Sequence, residues 1–194
     1  MGVIRISGAD TLSIMDAVFK SRGKSQLVSN MTSHTVSLGS INDNATLIDE
    51  VLITVFKNPR SYTGEDVVEI SCHGSVFIQQ KILRLLMEKG ARMAQPGEFT
   101  LRAFLNGKLD LSQAEAVADI IASENENSHR IALQQMRGGY SMEITKLRDQ
   151  LIHFAAMLEL ELDVGEEDIE FANRDELKVL ITDLKKKIDS LLAS

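Results

Sequence analysis

Residues 66–90 read DVVEISCHGSVFIQQKILRLLMEKG, and two different periods meet inside this stretch. Over 66–73 the residues alternate, so Val68, Ile70 and Cys72 share one face of a strand and Val67, Glu69, Ser71 and His73 the other. Over 75–89 the apolar positions Phe77, Ile78, Ile82, Leu85 and Leu86 recur at helical spacing. Gly90 stands where a left-handed residue closes a helix. A strand feeding an amphipathic helix makes the front of the chain mixed α/β.

Working outward, GVIRISG at 2–8 is a second β-branched run bounded by glycines, with Ile4 and Ile6 on one face and Val3, Arg5 and Ser7 on the other. Residues 11–19 have helical spacing at Leu12, Met15, Val18 and Phe19. Residues 35–41 and 50–56 read as strands with a turn at Asp43-Asn44 between them, and 91–94 as a last strand. With the isoleucines, Val68 and Cys72 toward a core, Arg5 and Glu69 project from the opposite sheet face. An ordinary solvated face with a weak surface salt bridge fits the same pattern.

A second concentration of polar residues is QPGEFTLRAFLNGKLD at 95–110. Pro96-Gly97 turns into a short helix over 98–105, and Asn106-Gly107 ends it in residues that tolerate positive φ. Glu98, Arg102, Asn106 and Lys108 gather charge and donors there; helix-end electrostatics accounts for them equally well. His73 at a strand end fits an acid–base role or a plain hydrogen-bonding one. Cys72 on the core side reads as a small buried hydrophobe. His34, His129 and His153 lack metal-ligand spacing, and the acidic loop at 163–170 lacks the calcium-loop pattern, so no metal site is expected.

From residue 111 the pattern is helical, giving an α+β chain with domains at 1–110 and 111–194. Ser112 to Glu115 reads as a capping box opening a helix to about Ala122. After a break at 123–127, one long helix is expected over 128–162, continuous through Gly138-Gly139. Residues 173–176 then cap a last helix over 177–192, whose apolar face needs partners. A chain that opens in a strand and stops on such a helix is what a fragment is expected to look like.

The 194 residues are 44% hydrophobic and 25% charged, an ordinary globular balance. There is no apolar run near the roughly 18 residues of a membrane span and no basic-then-apolar leader. A single cysteine allows no internal disulfide, which fits a reducing cytoplasm. Residues 1–110 hold 12 Lys/Arg against 11 Asp/Glu, and 111–194 hold 9 against 17. Neither half therefore has the basic surplus of a nucleic-acid binder. No GxxxxGK[ST] phosphate loop occurs, so GTP binding through one is not expected.

Three stretches, GVIRISG at 2–8, SYTGEDVVEISCHG at 61–74 and PGEFTLRAFLNGKLDLSQAEAVADII at 96–121, resemble the MnmE (TrmE) family of tRNA modification GTPases. DVGEEDIEF at 163–171 is similar to the family's segment before the helix leading into its GTPase domain. The resemblance covers essentially the whole chain and is least diagnostic over 20–50. It implies a folate-binding, dimerising α/β domain over 1–110, similar in fold to the folate-binding aminomethyltransferases, and the first part of a helical domain over 111–194. It implies bound 5-formyltetrahydrofolate, with contacts carried over to Arg5 of RISG, Glu69 of GEDVVE and Lys108 of LNGKLDL. A carboxylate can accept the adjacent N–H donors of a pterin in parallel, and the two cations can take carbonyl oxygens or the glutamate tail.

In the family the folate supplies a one-carbon unit for carbon 5 of the wobble uridine of certain tRNAs, where a carboxymethylaminomethyl-type group is installed. The resemblance implies a homodimer, a flavin-dependent partner of the MnmG (GidA) type, and GTP with magnesium and potassium in a GTPase domain. Against the family pattern, this sequence lacks a Pro/Gly-rich turn segment before GVIRISG, the GTPase domain, and terminal helices ending in a Cys-Ile-Gly-Lys-like motif. Cys72 is not that motif's cysteine. The expectation is a cytoplasmic, non-membrane module with no catalytic residue, inactive by itself as a GTPase or modifying enzyme. Two other readings remain: a free-standing folate-dependent aminomethyltransferase relative, and a dimerisation scaffold in which Arg5 and Glu69 only pair with each other.

Overall fold

The computed structural model describes residues 1–23, 26–163 and 174–192. Strands β1 (Gly2–Ser7), β2 (Phe19–Ser21), β3 (Thr35–Asp43), β4 (Thr46–Phe56) and β5 (Val67–Cys72) form an antiparallel sheet in the order β1-β5-β4-β3-β2. The β3–β4 hairpin turns through Asn44 at φ 52°, a left-handed position that asparagine tolerates. The sheet order places β1 beside β5, with Ile4 opposite Ile70 and Arg5 opposite Glu69. The fold is thus α+β, with seven α-helices besides the sheet among the described residues.

Alternation gives the sheet its two faces. Ile4, Ile6, Val51, Ile53, Val55, Val68, Ile70 and Cys72 are buried on one of them. Helices α1 (Thr11–Val18) and α2 (Val76–Glu88) cover that face with Ile14, Met15 and Val18 and with Ile82, Leu85 and Leu86. Phe19 leaves α1 as its last cap and begins β2, where the sequence pattern kept it helical. The edge strand fits because position 39 is glycine: a Cβ there would lie 2.4 Å from Phe19 Cζ and 2.3 Å from the Lys20 carbonyl.

On the outer face Val67 is nonetheless buried, because the loop between β4 and β5 folds over the Ser7–Val67 end of the sheet. Residues 91–94, expected as a strand, make no ladder. The groups around them serve the start of α3 (Glu98–Leu105) instead: the Arg92 guanidinium and the Gln95 N–H both donate to the Glu98 carboxylate.

Helix α4 (Leu111–Ala122) starts one residue before the expected box. The reciprocal pair is Asp110 and Gln113: the Gln113 N–H donates to Asp110 at 2.8 Å and the Asp110 N–H to the Gln113 side chain at 3.0 Å. Contacts divide the chain into a unit of Met1–Ala122 and a unit of Ser123–Ser194.

In the second unit, α5 (Glu126–Met136) opens on a capping box of Asn125 and Ser128, and Ala132 is buried. The long helix expected through Gly138-Gly139 is two helices, because Gly138 takes φ 77° and ends the first one. Helix α6 (Gly139–Asp163) begins at once, and α7 (Arg174–Leu192) packs on it. The acidic loop expected after Asp163 and the cap expected at Asn173 fall in 164–173, outside the described residues. Among the described residues no helix is long and apolar enough to cross a membrane.

Gly138→Ala separates the two accounts of this region by sign. A left-handed Gly138 predicts a loss of about 1–2 kcal/mol, whereas a continuous helix would gain about 1 kcal/mol from the same change. Denaturant unfolding followed by circular dichroism reads the difference.

Candidate site at the β1–β5 rim

The β1–β5 register places Arg5 directly across from Glu69 on the outer sheet face. Arg5 Nε donates to Glu69 Oε1 at 2.8 Å, and Nη2 donates to the same oxygen. Glu69 Oε2 and Arg5 Nη1 take no hydrogen bond among the described residues. The side chains are 42% and 27% exposed, so the pair contributes roughly 0–1 kcal/mol, the range of surface ion pairs. Its value lies in the geometry it fixes.

Two rings flank the guanidinium. The centroid of Tyr62, from the β4–β5 loop, lies 5.9 Å from Arg5 Cζ, and that of Phe99, from the first turn of α3, lies 5.7 Å away. The Tyr62 hydroxyl meets Thr100 Oγ1 at 3.0 Å and ties loop to helix. Lower on the same rim, Ser7 Oγ donates to Glu65 at 2.9 Å and meets Thr63 Oγ1 at 2.7 Å, with Thr63 fully buried. Arg102 Nη1 joins this group through Glu65 at 2.9 Å, while its Nη2 reaches Glu98 at 2.8 Å.

Lys108 enters through the same loop. Its Nζ donates to the Pro59 carbonyl at 3.1 Å, and Asn106 Nδ2 donates to the Thr63 carbonyl at 2.7 Å. Gly64, at φ 78°, lies so close to this strap that a Cβ would sit 3.2 Å from both Asn106 Cβ and Lys108 Cγ. The β4–β5 loop therefore touches Arg5 at Tyr62 and Lys108 at Pro59 and Gly64. Lys108 is exposed, and two of its three N–H donors have no partner among the described residues. A groove of about 500 Å³ beside β1 is bordered by Arg5, Phe99 and Arg102, but not by Glu69 or Lys108.

The electrostatic node of the cluster is Glu98. Arg92 above all, then the Gln95 N–H and Arg102, hold its carboxyl well below the usual carboxylate range. Glu65 and then Glu98 raise Arg102 in turn. Glu98, Arg102 and Asn106 thus tie the strap together, and the helix-end account of them covers only part of what they do.

His73 lies at the far end of β5, away from the Val67 end that carries this network. Both its backbone N–H, at 2.9 Å, and its Nδ1, at 2.7 Å, meet the nearly buried carboxylate of Asp49 on β4. Cys72 is buried, and burial first, then Asp49, pushes its thiol pKa up. Among the described residues no group of three His, Cys, Asp or Glu is placed to hold a metal ion.

Tyr62 and Phe99 stand in stretches that the sequence marks, though neither is singled out within them, and Asp49 lies outside those stretches. Phe99 carries no titratable group, and only the long-range fold brings it to Arg5. Asp49 lies beside the β3–β4 register shift between Ile41 and Asn42, which strand alternation does not reveal.

Fold and site together define a two-part α+β protein: a sheet unit with a charged rim, followed by helices. Residues 1–108 match the family model described as GTP-binding protein TrmE N-terminus, and 111–194 match that of the MnmE helical domain. The chain is 58% identical to the tRNA modification GTPase MnmE of Cytophaga hutchinsonii, across all of this chain and 41% of that protein. It is 61% identical to that of Flavobacterium johnsoniae, across 98% and 41% of the two lengths, and 50% identical to that of Bacteroides thetaiotaomicron, across 100% and 42%. The chain belongs to the MnmE (TrmE) family of tRNA modification GTPases, and it spans about two fifths of the length of these relatives.

The depressed Glu98 carboxyl gives a signed pH prediction. A carboxyl whose folded pKa is lowered contributes stability in full above its unfolded value, about 4.3, and loses it as the pH falls through the folded one. Thermal unfolding of Glu98→Gln is expected to show a lower Tm than the parent at pH 7. That gap should narrow progressively as the pH falls below about 4.3; a gap equal at pH 7 and pH 2 would contradict the assignment.

Proposed function

We propose that this chain is the folate-binding and dimerising part of a tRNA-modifying GTPase, and that it holds 5-formyltetrahydrofolate with Glu69, Arg5 and Lys108. The observation that carries the reading is the Arg5–Glu69 pair across β1 and β5, joined to Lys108 by one loop. The donor set suits the ligand. Glu69 keeps an unbonded oxygen for the N–H edge of a pterin, while Arg5 and Lys108 keep free donors for carbonyl oxygens or carboxylates. When bound, the folate would supply the one-carbon unit; the chain's own residues only bind and orient it.

Dimerisation is supported by Val3, Val36, Leu38 and Leu52, exposed apolar residues that alternate onto the open sheet face. In the full-length enzyme the one-carbon unit would go to carbon 5 of the wobble uridine of certain tRNAs, as part of a carboxymethylaminomethyl-type group. A flavin-dependent partner of the MnmG (GidA) type takes part, and GTP with magnesium and potassium acts in a separate domain. The proposed setting is the cytoplasm, which the lone thiol of Cys72 fits.

The scaffold reading has an observation of its own, since Arg5 and Glu69 bond each other in the structure. Calorimetric titration with 5-formyltetrahydrofolate separates the two. Saturable binding is expected, weakened about tenfold or more by Glu69→Ala and by Lys108→Ala, the scale of hydrogen bonds to charged groups. A folded parent chain that binds no folate, or variants that bind it unchanged, would favour the scaffold.

A further inference from the structure

Three elements converge on one exposed side chain: β5 through Glu69, the β4–β5 loop through Tyr62, and α3 through Phe99. An arginine on an open sheet face otherwise samples many rotamers, at an entropic cost to any ligand that must fix it. We infer that Tyr62 and Phe99 are positioning residues that hold the Arg5 guanidinium on Glu69 and aim its free Nη1 at the bound ligand. The inference rests on the folate reading only for the identity of that ligand.

Tyr62 is 41% exposed and Phe99 is half-buried, and neither belongs to the hydrophobic core. The Tyr62 hydroxyl bonds Thr100, the residue after Phe99, so the two rings are fixed with respect to each other before they meet Arg5. A cation held over two rings keeps its charge while it loses its freedom. Both Nε and Nη2 go to a single oxygen of Glu69, and this leaves the second carboxylate oxygen and Nη1 without a hydrogen bond among the described residues. A ligand offering one N–H and one carbonyl oxygen can then bind without breaking the ion pair.

The experiment has two arms. In ligand-free protein, the Arg5 Nε–H resonance, assigned with Arg5→Lys, is expected to be resolved and to broaden away in Tyr62→Leu and in Phe99→Leu. In titrations with 5-formyltetrahydrofolate, Tyr62→Leu should weaken binding about fivefold when Arg5 is present. It should change binding by less than about twofold when Arg5 is already alanine, the non-additivity of residues that act through one another. An unchanged Arg5 resonance, or equal losses in both backgrounds, would overturn the inference. If the parent chain binds no folate, the ligand reading fails, and the resonance alone decides whether the two rings position Arg5.

Discussion

The pairing of β1 with β5 joins residues 64 positions apart, and the cluster at the rim exists only because of it. Closing so long a loop adds little more entropy cost than a shorter one, since the cost grows with the logarithm of length. The register then follows from burial. Ile4, Ile6, Val68 and Ile70 reach the core only if Arg5 and Glu69 face out together, and a slip of one residue would exchange the two sets. The hydrophobic face thus supplies the free energy, and the charged pair inherits its geometry at no great cost of its own.

From that pair outward, order passes through one loop and one short helix. The β4–β5 loop carries Tyr62 to Arg5, Thr63 to Ser7 and Asn106, and Glu65 to Arg102. Glu98 anchors α3 from the other side through Arg92 and Arg102. These are hydrogen-bonded, partly exposed ion pairs, so they add modest stability. Together they restrict where Phe99 and Lys108 can stand, and the proposed ligand site depends on that restriction more than on strength.

Much of this was legible in the sequence, for physical reasons. Strand alternation put Arg5 and Glu69 on the shared outer face, and apolar spacing found α2 and its glycine end. What alternation cannot give is the partner of a strand, so the direct opposition of Arg5 and Glu69, the Phe99 ring and the Asp49–His73 contact came only with the fold. Local patterns also competed. Residues 91–94 have no ladder to join, and the box at Asp110 and Gln113 pre-empted the one read at Ser112 and Glu115. The apolar period runs on past Gly138, yet a single left-handed residue is enough to end the helix.

Family membership and the rim support each other without being the same claim. The matches cover both parts of the chain, while the relatives they come from are more than twice as long. The ligand chemistry argued for the rim is therefore open to direct observation. A crystal structure of the chain with 5-formyltetrahydrofolate is the most direct measurement. The account predicts the pterin edge on the free oxygen of Glu69, with Arg5 and Lys108 both within hydrogen-bond distance of the ligand. Folate bound elsewhere, with Lys108 still on the Pro59 carbonyl and no ligand atom near Glu69, would contradict it.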